Sequence, residues 1–410
     1  MSRPGGRDWR TPTLVLVAGA VLLSLSLGIR HSFGLFLAPM SKSHGWTREV
    51  FAFAIALQNL VWGLAQPFAG RIADRYGAGK AVLGGSVLYV AGLVLMAQAQ
   101  TGTMLAASAG VLIGIGLSGT TISVVFGAIL RATPPARRSI AMGIAMSVGS
   151  LGQFVMLPGA LLFIESLGWA STLLVLAGLG VAMAPLAAVL SEKPAAAVPG
   201  AHVMGLRAVL AEAFAVPGFW LLCFGFFVCG FHVAFIAIHL PAFLTDRGLG
   251  PSTGAAVLAL VGLFNVAGSY ASGVLGGRVS KPAVLVGIYS ARAVVLLLFV
   301  LFPVTEWSAY LFGATMGLLW LSTVAPTNGT VATLFGVENM ALLGGIVFLF
   351  HQIGAFLGGW LGGRLYVATG SYEVVWWMSI ALAVVAALLN LPIREVPVAR
   401  LRAAAEEGAR

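Results

Sequence analysis

The chain has 410 residues, of which 59% are hydrophobic and only 9% carry a charged side chain. This composition excludes a soluble globular protein and predicts a polytopic membrane protein in contact with lipid. The formal net charge of +10 would suit a nucleic-acid-binding protein only if the cations formed one basic face. They are instead spread between long apolar runs, so we expect no nucleic-acid partner.

The first apolar run, Leu14 to Met40, is long enough to cross a bilayer, which takes roughly 20 residues. It contains Arg30 and His31. A guanidinium inside a span is costly unless it faces a protein interior or a water-filled cavity, so Arg30 is a candidate substrate-binding residue. The alternative is that it reaches a lipid head group. The basic segment Arg3 to Arg10 resembles the start of a signal peptide, but the long run that follows favours a retained first span.

Twelve apolar runs follow one another along the chain, separated by short breaks that contain turn-forming residues. They predict an all-α polytopic membrane protein with twelve transmembrane helices. We place the spans at residues 13–39, 48–72, 80–99, 103–130, 138–164, 168–190, 218–244, 252–276, 282–303, 307–333, 339–368 and 372–393.

The positions of Lys and Arg test this topology, because cytoplasmic loops carry an excess of both residues. With a cytoplasmic N-terminus, seventeen of the 23 Lys and Arg residues fall in predicted cytoplasmic segments. Both termini are therefore predicted to be cytoplasmic. We expect a multi-pass monomer in a cell membrane, specifically a bacterial inner membrane.

The longest stretch outside the spans lies between the sixth and seventh spans and is rich in Ala and Pro. It predicts a linker between two halves. Short motifs recur at matching places in both halves, as in transporters built from repeats, whose substrate site lies between the halves at mid-membrane. The predicted boundaries are an N-terminal six-helix bundle at 1–190, a cytoplasmic linker at 191–215, a C-terminal six-helix bundle at 216–393 and a cytoplasmic tail at 394–410.

Polar and ionisable side chains inside other spans are further candidates for the same site. His232 lies one half-repeat after Arg30, and His351 with Gln352 lies in a glycine-rich span. For each of them the alternative is ordinary hydrogen bonding between helices. Arg292 lies in the middle of the ninth span. A structural role is the first prediction for it, and substrate binding is the alternative. The predicted substrate-binding residues are Arg30, His31, Gln153, His232, Asn265, Arg292, Asn328, His351 and Gln352.

The segment from Gly70 to Lys80, between the second and third spans, resembles the signature loop of the major facilitator superfamily. Its glycines allow a tight turn and close helix approach, and one carboxylate among cations can pair or cap a neighbouring helix N-terminus. The corresponding loop of the second half has Gly277 where Asp74 would recur, so the lock is expected in the first half. The resemblance implies a cytoplasmic gate formed by Gly70, Asp74, Arg75, Gly77 and Lys80.

Two further motifs, at residues 32–39 and 45–48, resemble the monocarboxylate transporters and oxalate/formate antiporters of that superfamily. In the monocarboxylate transporters a cation precedes the Ser of the first motif, and here that position is His31. Where the monocarboxylate transporters have an acidic residue and an Arg in span eight, this chain has Asn265 and polar neighbours. Where the oxalate/formate antiporters have a Lys in span eleven, this chain has His351 and Gln352. The resemblance implies two six-helix bundles, the major facilitator fold, that work by alternating access.

Missing motifs narrow the function further. The sequence contains no phosphate-binding loop, nucleophile elbow or cluster of metal ligands, so we expect neither an enzyme nor a cofactor or metal. All thirteen acidic residues map to loops or helix ends, whereas multidrug exporters of this fold commonly place a carboxylate inside the membrane. Arg and His without a carboxylate favour an anionic substrate.

The predicted function is secondary active transport of a small organic anion, with a monocarboxylate as the first candidate. Because no acid lies within a span, the candidates for proton coupling are His31, His232 and His351. We favour proton symport through His31, which adjoins Arg30. The alternatives are anion/anion exchange and multidrug efflux by the same fold.

Overall fold

The computed structural model describes residues 9–46, 48–191 and 205–408, and the regular structure in these ranges is helical. The helices of the first half are α1 (Pro12–Ser32), α2 (Leu37–His44), α3 (Arg48–Tyr76), α4 (Ala78–Ala97), α5 (Gly102–Leu105), α6 (Ile113–Thr120), α7 (Ile122–Ala132), α8 (Arg138–Leu167), α9 (Trp169–Val181) and α10 (Met183–Val189).

The second half has the same kind of organisation. Its helices are α11 (Leu206–Phe214), α12 (Pro217–Asp246), α13 (Pro251–Leu275), α14 (Lys281–Leu301), α15 (Glu306–Leu319), α16 (Val324–Phe335), α17 (Met340–Thr369), α18 (Glu373–Asn390) and α19 (Ala399–Gly408).

Eleven helical stretches in the described residues are long and apolar enough to cross a membrane. The predicted second span corresponds to a further helix, α3, which is 29 residues long and carries the buried side chains of Gln58 and Gln66. Large apolar side chains such as Phe68 and Trp307 are exposed on the surface, as suits a surface that faces lipid. The prediction of an all-α polytopic membrane protein is confirmed.

Two predicted spans are divided near their middles. The fourth contains a π-helical stretch, Ala106–Leu112, and then a break at Thr121, where φ is −122° and ψ is −164°. The tenth is divided between α15 and α16, on either side of Ser322. The sequence predicts a continuous helix in both places, because the apolar residues continue across each break and give no sign of it.

The predicted linker is described only in part, because residues 192–204 lie outside the described ranges. The remainder contains the short helix α11. Residues 1–8 of the predicted cytoplasmic N-terminus also lie outside. In the predicted tail, the N–H of Val398 donates to the carbonyl of Leu334 at 2.9 Å and attaches the segment before α19 to α16. The boundaries of the four predicted segments stay predictions.

Small residues bring α1 close to α8 within the first half. A Cβ added to Gly28 would lie 2.9 Å from the carbonyl oxygen of Gly152, and the hydroxyl of Ser24 donates to the carbonyl of Val148. Backbones that approach this closely pack well in a membrane. The packing fixes α1 at the level just before Arg30.

The two halves meet where α3 packs on α17 and where α8 packs on α13. Side chains at Gly70 and Gly345 would collide with the backbone of the opposite helix, and Gly143 faces Gly273. We call the end of the molecule that contains Asp74 and the start of α17 the Asp74 end. Glycines therefore allow the halves to touch at this end.

Candidate functional site

Arg30 lies near the end of α1 and reaches towards α3. Its Nη2 donates to Oδ1 of Asn59 at 3.0 Å, while its Nε is buried and has no hydrogen-bond partner. In the part of the chain that the structure describes, no carboxylate comes within ion-pair distance of this guanidinium. A half-buried cation therefore retains unsatisfied donor capacity, which is the property that an anion-binding group requires.

The helix that carries Arg30 is anchored one turn earlier. The hydroxyls of Ser26 and Thr120 lie 2.8 Å apart, and the Tyr89 hydroxyl donates to the carbonyl of Ser26 at 2.9 Å. All three side chains are buried. Because these bonds connect α1 to α4 and α6, they hold Arg30 at a fixed height and direction.

The second half reaches the same place through α17. Nε2 of Gln352 donates to the backbone carbonyl of Asn59 at 3.2 Å, and Oε1 of Gln352 lies 3.2 Å from Nδ1 of His351. Since a carbonyl oxygen can only accept, Nδ1 of His351 is the donor in that bond. We call Arg30, Asn59, His351 and Gln352 the central cluster. It joins the two halves around the guanidinium of Arg30.

His31 adjoins the central cluster on α1 and is exposed. Its Nδ1 lies 2.7 Å from the carbonyl of Leu27, and because that oxygen only accepts, Nδ1 carries the hydrogen. Nε2 is thereby left as the nitrogen that can take up a further proton.

The other predicted substrate-binding amides differ in whether a polar atom of the side chain remains without a hydrogen-bond partner. Gln153 of α8 has a buried Nε2 without a partner, so it can still bind a ligand. Both polar atoms of the Asn265 side chain are bonded within the protein: Nδ2 donates to Ser150 of the other half at 2.8 Å, and Oδ1 accepts from the N–H of Leu321 at 3.0 Å. Asn328 donates to its own helix at Val324, at 2.9 Å. Neither Asn265 nor Asn328 contacts the central cluster.

His232 lies inside the second half and does not contact the central cluster. Its Nε2 donates to the carbonyl of Ser379 on α18 at 2.9 Å. The hydroxyl of Tyr289 donates to Gly225 as that of Tyr89 does to Ser26. The residue four positions after Gly225, as Arg30 is four after Ser26, is Cys229. The half-repeat comparison therefore aligns Cys229 with Arg30, and His232 lies about one helical turn further along α12.

Arg292 is fully buried in the second half, with 0% of its surface exposed. Its Nε and Nη2 donate to the carbonyl of Leu319 at 3.2 and 2.6 Å, and Nη2 also donates to the carbonyl of Trp320. These carbonyls end α15 at the break of the tenth span, where they lack helical partners. A cation at a helix C-terminus is favourable. These contacts are those of the structural role predicted first for Arg292.

Asp74 connects the halves at the Asp74 end. Its Oδ1 accepts from Nη1 of Arg131 at 2.9 Å and from the N–H of Ala341 at 3.3 Å. Its Oδ2 accepts from the N–H of Leu342 at 2.8 Å. The carboxylate thus caps the N-terminus of α17 across the interface, where a negative charge is favoured.

Three further residues of the signature loop, Arg75, Gly77 and Lys80, lie at the turn between α3 and α4. Arg75 and Lys80 lie over the ring of Tyr76, at 5.4 and 5.8 Å from its centroid. Gly77 has a φ of 94°, which favours glycine and allows α4 to start directly after α3. Arg131, which forms an ion pair with Asp74, is distant from it in the sequence, and the sequence pattern does not identify it.

Asp74→Asn is expected to weaken closure of the Asp74 end. The change removes the charge of a buried pair, which costs about 3 kcal/mol or more. A cysteine introduced at Met340, which is buried, should then react faster with a membrane-impermeant thiol reagent. Asp246→Asn, at an exposed position, is the control. Equal labelling of Asp74→Asn and the parent protein would make the loop a topological anchor only.

Comparison with known proteins places the chain in a family. The Major Facilitator Superfamily model matches residues 16–359. Monocarboxylate transporter 13 of Bos taurus is 28% identical over 382 residues, which cover 90% of this chain and 85% of that protein. The MFS-type transporter YcxA of Bacillus subtilis (strain 168) is 24% identical over 383 residues, 90% of each protein.

A solved structure agrees in fold. The Major Facilitator Superfamily transporter FucP, crystallised in the outward conformation, has a TM-score of 0.75 and 13% identity. The match covers 92% of this chain and 97% of that one. Together with the helical architecture and the signature loop, these matches show that the chain belongs to the Major Facilitator Superfamily and is a multi-pass membrane transporter, not an enzyme.

Proposed function

We propose that the protein carries a small organic anion, with a monocarboxylate as the first candidate, and that Arg30 binds the carboxylate. The observation that carries this proposal is the state of the guanidinium: Nη2 bonds a neutral amide and Nε is buried without a partner. A carboxylate would supply paired acceptors that match the geometry of the guanidinium.

The surroundings of Arg30 support an anion over a cationic drug. Asn59 and Gln352 are neutral, and no described carboxylate lies within ion-pair distance of Arg30. A cationic substrate would meet a like charge without compensation. The relatives named monocarboxylate transporters add support for a carboxylate.

Transport would proceed by rocking of residues 1–190 against residues 216–393, with 191–215 as linker. Hydrogen bonds between the halves join Asn59 to Gln352, Ser150 to Asn265, and Asp74 to the start of α17. These contacts run from the middle of the spans to the Asp74 end. If that end is cytoplasmic, as the Lys and Arg positions predict, the structure corresponds to an outward-facing state with both termini inside.

A thermal-shift screen of the purified protein tests the substrate class. Ligands that bind the native state raise its unfolding temperature. Short monocarboxylates should produce a concentration-dependent rise, whereas cationic drugs and neutral sugars should not. A rise with cationic drugs alone would contradict the proposal and favour multidrug efflux.

Proton symport is the proposed coupling mode, with His31 as the proton carrier. Its Nε2 can be protonated while Nδ1 stays bonded to Leu27, and the charge of Arg30 opposes protonation until an anion arrives. In reconstituted vesicles, an inward proton gradient should drive accumulation by the wild type and not by His31→Ala. His232→Ala and His351→Ala test the other two candidates. Accumulation that ignores the gradient but requires anion on the opposite side would establish an antiporter.

A further inference from the structure

A polar cavity lies at the Asp74 end, and none of its lining residues belongs to the central cluster. It has a volume of about 500 Å³ and is lined by residues of both halves and of the segment after α18. Its charged lining residues are Arg138, Lys281 and Glu338. A space of this size accommodates a small organic molecule. We call it the interhalf cavity.

One wall of the interhalf cavity is the start of α8, a helix of 30 residues. The residue before it, Arg137, provides no side-chain cap, and the N–H of Arg138 donates to the carbonyl of Pro135 in the preceding turn. The N–H groups without a helical partner are therefore those that follow Arg138 in the first turn. Uncapped N–H groups at a helix N-terminus attract anions, phosphate groups in particular. Nε of Arg138 donates to the carbonyls of Leu130 and Thr133 at 3.0 and 3.2 Å, and these bonds hold the guanidinium beside the cavity.

An independent observation comes from Ser139, the next residue of α8. Its side chain lines the cavity and the residue is 5% exposed, yet its hydroxyl has no hydrogen-bond partner. Gly276 lines the cavity opposite, and a Cβ there would lie 2.6 Å from the Ser139 oxygen. A buried hydroxyl without a partner is costly, and a ligand oxygen would satisfy it.

The charges of the cavity define the ligand. Lys281 is neutralised by Glu395, with 2.7 Å between Nζ and Oε1. Among the described residues no carboxylate lies within ion-pair distance of Arg138. Arg138 is therefore the lining cation without an ion pair, and Glu338, the carboxylate among the described lining residues, repels a second negative charge on the ligand.

We propose that the interhalf cavity binds a phosphate-bearing molecule whose remaining part is neutral or cationic, with the phosphate on the Arg138 guanidinium, the Ser139 hydroxyl and the N–H groups that follow Arg138 in the first turn of α8. Because Met142 and Lys281 bring the two halves together around it, such a ligand binds only while the Asp74 end is closed. It therefore favours this conformation and regulates the transport cycle from a site distinct from Arg30.

Binding of glycerol 3-phosphate to the purified full-length protein tests this site. The probe should raise the unfolding temperature above that produced by chloride at equal ionic strength. Arg138→Gln should weaken binding at least tenfold, and Ser139→Ala, which alters one hydroxyl, should weaken it about threefold. Arg137→Gln, at an exposed neighbour outside the cavity lining, should bind as the wild type does.

Two further measurements separate the sources of the phosphate group and test the conformational effect. Glycerol 3-phosphate is compared with nanodiscs of phosphatidylethanolamine. If glycerol 3-phosphate has no effect, but the nanodiscs raise the unfolding temperature of the wild type and not that of Arg138→Gln, the occupant is a lipid head group. Bound ligand should slow labelling of a cysteine at Met340. The proposal is overturned if neither probe stabilises the wild type, or if Arg138→Gln and Ser139→Ala respond as the wild type does.

Discussion

Arg30→Gln is expected to abolish carboxylate uptake while leaving the amount of folded protein unchanged. Gln keeps a polar side chain opposite Asn59 but loses the positive charge and the paired donors. Hydrogen bonds to a charged group are worth about 1.5–3 kcal/mol, so a loss of about 3 kcal/mol lowers affinity on the order of 100-fold. Initial uptake rates in reconstituted vesicles, normalised to monodisperse protein, measure the effect.

Two variants serve as comparisons for Arg30→Gln. Arg247→Gln removes an exposed Arg and should transport normally. Arg30→Lys keeps the charge without the planar fork, so it should retain intermediate uptake. Full uptake by Arg30→Gln would show that the carboxylate binds elsewhere.

Arg292→Met is expected to destabilise the protein, in contrast to Arg30→Gln. Arg292 holds the carbonyls of Leu319 and Trp320 at the break of the tenth span. Removing it leaves the Leu319 carbonyl without its donor and the Trp320 carbonyl with only the weak Cys229 thiol donor, which costs about 1–3 kcal/mol for each acceptor. The saved desolvation of the cation offsets part of this loss. We expect a net loss of about 2–4 kcal/mol, seen as a lower unfolding temperature and a lower yield of monodisperse protein.

Leu298→Met is the matched control, because it changes an exposed apolar side chain of the same helix, α14. It should unfold as the wild type does. The two Arg variants then distinguish a binding cation from a structural one. If Arg292→Met were as stable as the wild type and lost carboxylate binding, Arg292 would belong to the substrate site.

The membrane class and the importance of Arg30 could be predicted because both depend on local properties. Hydropathy over some twenty residues is enough to identify a span, and one guanidinium within it is conspicuous in any arrangement. The signature loop was likewise recognisable, since its glycines and Asp74 are close in sequence. The capping of α17 by Asp74 follows from a rule that holds for any nearby helix N-terminus.

The partners of these residues could not be predicted, because they depend on how distant helices face one another. Asn59 bonds Arg30 and Arg131 bonds Asp74, and a rotation of one residue along either helix would separate them. The breaks in the fourth and tenth spans were invisible for a related reason: what stabilises one of them is Arg292, from another helix. The interhalf cavity exists only in the packed molecule.

The central claim, that Arg30 binds a carboxylate, is tested most directly by isothermal titration of the best carboxylate ligand and its uncharged amide against the wild type and Arg30→Gln. The wild type should prefer the carboxylate by roughly 100-fold, about 3 kcal/mol. In Arg30→Gln this preference should disappear. The coupling free energy between the ligand change, carboxylate to amide, and the substitution of Arg30 should therefore also be about 3 kcal/mol. An equal preference for the carboxylate in both proteins would contradict the account.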